Sequence, residues 1–241
     1  DARIVLTAAD GSETVLKDGI ALTAGTVVDA TFMSAKALAR FLEAEIQAAK
    51  DEGVLFSLHM KATMMKVSDP IIFGHAVRAF LKPVFEAHGD AMAAAGVSPN
   101  SGLGALLDAV ADRPEVLSAI DATMAERPPM YMVDSGRGIT NLHVPSDVII
   151  DASMPALIRA GGKGWGPDDA QHDCLCVIPD SSYAPVYDET IRYFKETGAL
   201  DPATSGAVQN IGLMAQKAEE YGSHPTTFEI PVDGTVRMIA A

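Results

Sequence analysis

Positive charge is scarce in this 241-residue chain: 18 lysines and arginines stand against 32 aspartates and glutamates, a formal net charge of −14. A surface this acidic repels phosphate backbones and anionic lipid, which argues against nucleic acid and membrane as partners. It also repels an anionic substrate unless a local cationic cluster or a metal ion reverses the field. Cysteine is nearly absent, with only Cys174 and Cys176. They alternate in the apolar run Cys174–Ile178, where a strand sends both to one face, a spacing at which two residues rarely bridge. Two cysteines also cannot close a zinc site alone, so they read as small buried hydrophobes that suit a reducing, cytoplasmic compartment. No run approaches the ~20 apolar residues of a membrane span. The first residues, Asp1-Ala2-Arg3-Ile4-Val5, read as neither a signal nor a transit peptide. A start at Asp rather than Met points to a piece of something larger. Familiar nucleotide and hydrolase signatures are missing as well. There is no G-x-x-x-x-G-K-[ST], G-x-S-x-G or H-E-x-x-H, and the cluster Gly161-Gly162-Lys163-Gly164-Trp165-Gly166 does not fit G-x-G-x-x-G.

What remains is the material of a well-filled core. The chain is 48% hydrophobic and 21% charged, and a chain of this length hides roughly 70% of its unfolded surface. Alternating runs at Arg3–Thr7 and Glu13–Lys17 flank the turn Ala8–Ser12 and read as a hairpin. Ser34 caps a helix from Ala35 to Lys50, with Leu38, Phe41, Leu42, Ile46 and Ala49 at helical spacing and Gly53 as its stop. Val54–Leu58 is a covered strand. Asp69-Pro70 opens a second helix with Ile71, Ile72, Ala76, Phe80 and Phe85 as its buried stripe, interrupted at Pro83. Residues 89–101 form a connector or short helix with turns. Helices follow at about 103–111 and 115–126, the second stopped by Pro128-Pro129. Tyr131–Val133, Val148–Ile150 and Cys174–Ile178 are strand candidates, residues 161–171 a loop. Helices are expected at Ser153–Ala160, Tyr183–Glu196 and Ile211–Tyr221, and a closing hairpin at Phe228–Ile230 with Val236–Ile239. Strands alternating with helices predict an α/β fold, helices layered on one sheet.

Three constellations carry chemistry. Lys61-Ala62-Thr63-Met64-Met65-Lys66-Val67-Ser68-Asp69 follows an apolar strand, where ligand sites of open α/β sheets collect. Its two lysines form an anion cradle, one of them able to act as general base, or are simply surface lysines on a loop. In Asp147-Val148-Ile149-Ile150-Asp151 a strand would point both aspartates the same way and put Asp151 at its carboxyl end, where a hard cation needs a carboxylate. Alternatively Asp151 or Ser153 caps the next helix. His143 reads as a loop or packed histidine, and Met64, Met65, Met130, Met132 and Met154 as core. In Gly212–His224, Tyr221 sits at a helix end before Gly222, a phenol placed either to serve as general acid or to pack.

Together, Lys61–His75, Gly138–Pro155 and Gly212–His224 resemble the monomeric NADP-dependent isocitrate dehydrogenases, as do Ser34–Leu38 and Ile178–Asp180. The likeness covers nearly the whole chain and is weakest at about 86–130. The family is much longer, so the resemblance implies the central part of its large α/β domain, with an isocitrate/isopropylmalate-dehydrogenase-like fold and sub-lobes at 1–130 and 131–241. It implies oxidative decarboxylation of isocitrate to 2-oxoglutarate, with NADP and Mg²⁺ or Mn²⁺. By motif position Asp151 looks like a metal-binding aspartate, and Lys61 and Tyr221 like the catalytic lysine and tyrosine. Lys66 and Asp147 take no family role and are read as structural. The family's other metal aspartates, its isocitrate-holding residues and its NADP-holding residues lie in segments absent from this chain. The expected partners are therefore those remaining segments, with self-association of the chain through apolar surface they would cover. A chain lacking them is expected to be inactive alone. Two competing readings are a stand-alone binding module that kept the fold and a related metal-dependent 2-hydroxyacid decarboxylating dehydrogenase.

Overall fold

The computed structural model describes residues 1–28, 30–61, 68–180, 183–198, 201, 203 and 227–240. Their strands and α-helices run β1 (Ala2–Ala8), β2 (Glu13–Ile20), α1 (Ala35–Glu52), β3 (Leu55–Leu58), α2 (Ser68–Phe80), α3 (Lys82–Ala94), α4 (Gly102–Ala109), α5 (Pro114–Glu126), β4 (Met132–Asp134), β5 (Ile139–Thr140), α6 (Ile150–Arg159), β6 (Lys163–Trp165), β7 (Gln171–Val177), α7 (Ala184–Thr197) and β8 (Gly234–Ala240). The fold is mixed α/β, but among the described residues there are three small sheets in place of the expected one: β2-β1-β8, β3-β7-β6 and the pair β4-β5.

The local grammar of the chain explains the centre of the molecule. Ser34 Oγ accepts from the Ala37 amide at 3.3 Å, satisfying an orphan donor at the start of α1. Gly53 ends the helix at φ +68°, its amide turned back to the carbonyls of Ala49 and Lys50, as a left-handed cap requires. The helix buries Leu38, Leu42, Ile46 and Ala49, while Phe41 stays 39% exposed, outside the stripe expected of it. From Gly53 the chain passes into β3, all four of whose residues are buried. It lies parallel to β7 and, on its other edge, to the stretch around Met130, exchanging bonds between Phe56 and both Pro129 and Tyr131. Pairing on both edges and burial on both faces account for its near-continuous apolar run. The helix α2 covers it with Ile72, Phe73, Ala76, Val77 and Phe80, the Phe56 and Phe80 rings lying 5.7 Å apart. Leu81 separates α2 from α3, with Pro83 in the first turn of α3, where a proline's missing N–H costs no helical bond. Past non-helical dihedrals at His88 (φ −127°, ψ 18°), α3 continues to Ala94, into the stretch read as a connector or short helix with turns.

Three expectations are corrected. Val148–Ile150 is not a strand: residues Pro145–Val148 form a 3₁₀ turn and α6 begins at Ile150. The run makes one parallel bridge, Met60 with Ile149, and then the Ile150 amide goes to the Met60 carbonyl at 2.9 Å. Burial of Ile150 is satisfied as a helix start as well as it would be in a strand, which an apolar triplet cannot distinguish. Residues 161–171 are not all loop, since β6 pairs antiparallel with β7. Phe228–Ile230 does not pair with Val236–Ile239. The strand β8 instead joins the free edge of β1 over seven residue pairs, from Ala2 with Ala240 to Ala8 with Gly234. Pro231 stands where a hairpin ladder would continue, and proline cannot donate to it.

Candidate active site

The parallel strands β3 and β7 set the floor of the candidate site. Past the end of β3 the His59 amide bonds the Val177 carbonyl at 2.9 Å, and the Met60 carbonyl takes the Ile150 amide at 2.9 Å. Lys61 is thus delivered just beyond the carboxyl end of a buried strand, with the first turn of α6 directly opposite. Asp151 lies in that turn, where exposed amides and the helix dipole favour a carboxylate. Lys61 Nζ and Asp151 Oδ2 form an ion pair, with the lysine side chain 14% exposed and the carboxylate 48% exposed. Asp151 therefore arrives by a helix start, not by strand alternation, and the alternation that aligned it with Asp147 is absent. Pro155, inside α6, cannot offer an amide to the Asp151 carbonyl, so that turn stays open on one side.

Beneath the pair lies a polar network that motif reading missed. His59 Nε2 is 2.7 Å from Ser57 Oγ and His59 Nδ1 is 2.7 Å from Ser153 Oγ. Ser153 Oγ also donates to the Ile149 carbonyl at 3.0 Å. Asn141 Nδ2 donates to the Leu58 carbonyl at 3.1 Å and approaches Ser57 Oγ at 3.5 Å. Ser57, His59 and Asn141 are buried. Removal from water drives the His59 pKa down to about 4, keeping the ring neutral. The signal available in the sequence was Ser57 and His59, polar residues two apart in an apolar strand; their partner Ser153 was considered only as a helix cap.

Other candidates fall outside the pair. Tyr221, Lys66, Met64 and Met65, and the helix expected at Ile211–Tyr221, lie outside the described residues. His143 is packed as expected: its Nδ1 accepts from the Thr140 amide at 2.9 Å, and burial lowers its pKa. Asp147 sits in the 3₁₀ turn with its pKa raised by burial. Cys174 and Cys176 are free thiols, half-buried against Ile150, Met154 and Leu157. Burial pushes them up to about 12 and about 11, so they stay protonated and act as small hydrophobes.

Asp151 has the right donor chemistry for a hard cation, but no group of three or more His, Cys, Asp or Glu among the described residues could hold a metal ion. The described residues alone do not fit a divalent cation, which takes six or more oxygens. Nor, among the described residues, is any helix long and apolar enough to cross a membrane.

Comparison with known proteins adds the following. Residues 1–241 match the family described as "Monomeric isocitrate dehydrogenase". The chain is 57% identical over 237 residues to the Isocitrate dehydrogenase [NADP] of Corynebacterium efficiens, covering 97% of this chain and 32% of the relative. It is 54% identical to the protein of the same name from Corynebacterium glutamicum, with the same coverage. Against that of Azotobacter vinelandii it is 53% identical over 241 residues, 98% of this chain and 32% of the relative. The chain spans about a third of the length of these relatives.

Proposed function

The chain belongs to the monomeric isocitrate dehydrogenase family, and we propose that it supplies the central part of an NADP-dependent isocitrate dehydrogenase that converts isocitrate to 2-oxoglutarate in the cytoplasm. The observation that carries this reading is the Lys61–Asp151 ion pair, held where the carboxyl end of β3 meets the first turn of α6. The proposed parent fold is isocitrate/isopropylmalate-dehydrogenase-like. Its remaining segments complete the site and hold NADP, for which this chain has no glycine-rich signature. In this reading Asp151 is one ligand of a Mg²⁺ or Mn²⁺ ion whose other oxygens come from those segments and the substrate. NADP, held by those segments, would supply the hydride acceptor for oxidation of the hydroxyl-bearing carbon.

The chain's own residues then handle protons. Lys61 Nζ, placed on a buried strand end beside a carboxylate, holds the substrate's hydroxyl within reach and helps take its proton as the carbon is oxidised. After CO₂ leaves, the enolate carbon needs a proton, and Tyr221 is the phenol assigned to give it. Asp151, paired with Lys61, keeps the lysine side chain aimed between turnovers.

The test uses the complete polypeptide, this chain joined to its flanking segments, and follows NADPH formation from isocitrate with Mn²⁺. Lys61→Met and Tyr221→Phe are each expected to cut turnover by about 10²-fold or more with the thermal midpoint held. The 241-residue chain alone is expected to be inactive. Wild-type turnover in both variants would refute the assignment.

A further inference from the structure

The network under the ion pair runs in a single direction. Ser153 has one hydroxyl proton, and 3.0 Å from the Ile149 carbonyl that proton is spent, because a carbonyl can only accept. Ser153 Oγ must then accept from His59 Nδ1, 2.7 Å away. A neutral imidazole carries one proton, so Nε2 is bare and accepts from the Ser57 hydroxyl at 2.7 Å. Ser57 Oγ, its own proton committed, faces the Asn141 amide, which donates to the adjoining Leu58 carbonyl. The hydrogen bonds running from Asn141 Nδ2 to the Ile149 carbonyl are consistent with one neutral tautomer of His59, protonated at Nδ1; the buried Asn141 Oδ1 takes no part in the line.

The position of this line gives it a use. His59 stands two residues before Lys61, and Ser153 two residues after Asp151. The Met60–Ile149 bridge, with its backbone bond from Ile150 to Met60, ties the entry of α6 to the end of β3, and a helix held by its backbone only at its entry can still tilt and turn. The His59–Ser153 bond is a second tie three residues along α6, on the same helix face. Two ties fix the rotation of the first turn. We propose that His59, through Ser57 and Ser153, is a positioning residue that locks the first turn of α6 onto β3 and so holds the Asp151 carboxylate opposite Lys61. This rests on the reading of Lys61 and Asp151 as working groups of the dehydrogenase.

The experiment compares Ser153→Ala with Ser153→Thr in the complete enzyme, beside Lys61→Met and Asp151→Asn. Thr retains a hydroxyl that can bond both the Ile149 carbonyl, four residues back, and His59. Loss of the second tie is expected to lower kcat by about 10²-fold, the scale of an ångström misplacement, with KM for NADP unchanged; Ser153→Thr restores most of it. Equal kcat in Ser153→Ala and wild type, beside crippled Lys61→Met and Asp151→Asn enzymes, overturns the positioning role alone. So does an equal loss in Ser153→Ala and Ser153→Thr. Wild-type kcat in Lys61→Met and Asp151→Asn overturns the site reading and the positioning role together. A readout independent of turnover is nitrogen-15 NMR of the histidine-labelled complete wild-type enzyme at neutral pH. One ring, identified by its loss in His59→Gln, must show a protonated Nδ1 and a bare Nε2; the opposite tautomer overturns the proposal.

Discussion

A neutral imidazole buried between two hydroxyls ties stability to pH with a definite sign. Burial lowers the His59 pKa from its ordinary 6.5 to about 4, while in the unfolded chain the ring returns to its ordinary value. Above pH 6.5 neither state carries the proton, and the buried network stands at full strength. As pH falls from 6.5 towards 4 the unfolded ring takes up a proton that the folded ring refuses, and stability is lost through that window. The difference amounts to about 3 kcal/mol once both states are protonated. Burial also depresses His143 and His75, so they pull in the same direction. Thermal midpoints between pH 7.5 and pH 4.5 should therefore fall more steeply for wild type than for His59→Gln, whose residue 59 cannot titrate. That variant should start lower at pH 7.5, because it breaks the line of hydrogen bonds. Parallel slopes for the two proteins would contradict a neutral, buried His59.

The elements that meet at the site depend on a few backbone positions. The start of α4 is docked on the Leu142–His143 stretch by the Leu103 amide to the Leu142 carbonyl at 2.8 Å and the Gly104 amide to the His143 carbonyl at 3.0 Å. Gly102 makes that approach possible: it sits at φ +91°, and a Cβ on it would run into the His143 carbonyl oxygen. Gly102→Ala should cost on the order of 1–3 kcal/mol and speed hydrogen exchange at the Leu103 and Gly104 amides. Gly89→Ala, within α3 and with nothing within 4 Å of the added carbon, should be neutral or stabilising by up to about 1 kcal/mol. A Gly102→Ala protein as stable as Gly89→Ala would show that the α4 docking is not steric. This contrast also marks how far the chain could be read before its fold was known. Ser34, Gly53, the Ala8–Ser12 turn and the Leu55–Leu58 strand were legible because each is decided by neighbours within a few residues. Lys61 and Asp151 were legible as candidates through motif resemblance, but their route to each other was not. Asp151 was placed at a strand end because Val148–Ile150 satisfies strand and helix patterns alike, and the deciding bond comes from Met60, ninety positions earlier in the chain. The His59–Ser153 contact likewise spans 94 residues, and nothing local in either segment announces it. The edge partner of β1 was missed for the same reason: β8 comes from the far end of the sequence.

At the scale of the whole molecule, two opposing terms decide how the chain behaves by itself. Its net charge of −14 keeps copies apart. Against this, among the described residues β8 is an edge strand with every residue exposed, and Val236, Met238 and Ile239 are among the exposed large apolar side chains. Arg237 is the only charge in it, which leaves the edge poorly guarded against pairing with another strand. The segment preceding α1 adds Val27 at 91% and Phe32 at 89% exposure. Large apolar side chains left exposed in this way are ordinarily covered by protein, which agrees with a chain that spans about a third of its relatives' length. Screening weakens the repulsion and leaves the apolar term intact, so the balance is set by salt. Sedimentation velocity of the chain at micromolar concentration should therefore show association that grows from low to high ionic strength and grows further in sulfate. Met238→Lys, which adds charge at the open edge while leaving the β1 ladder its backbone bonds, should shift the distribution back towards monomer. A monomer at every salt concentration would mean that the exposed β8 edge is already blunted by its twist and by Arg237. Association that Met238→Lys leaves unchanged would move the sticky surface to the Val27–Met33 segment.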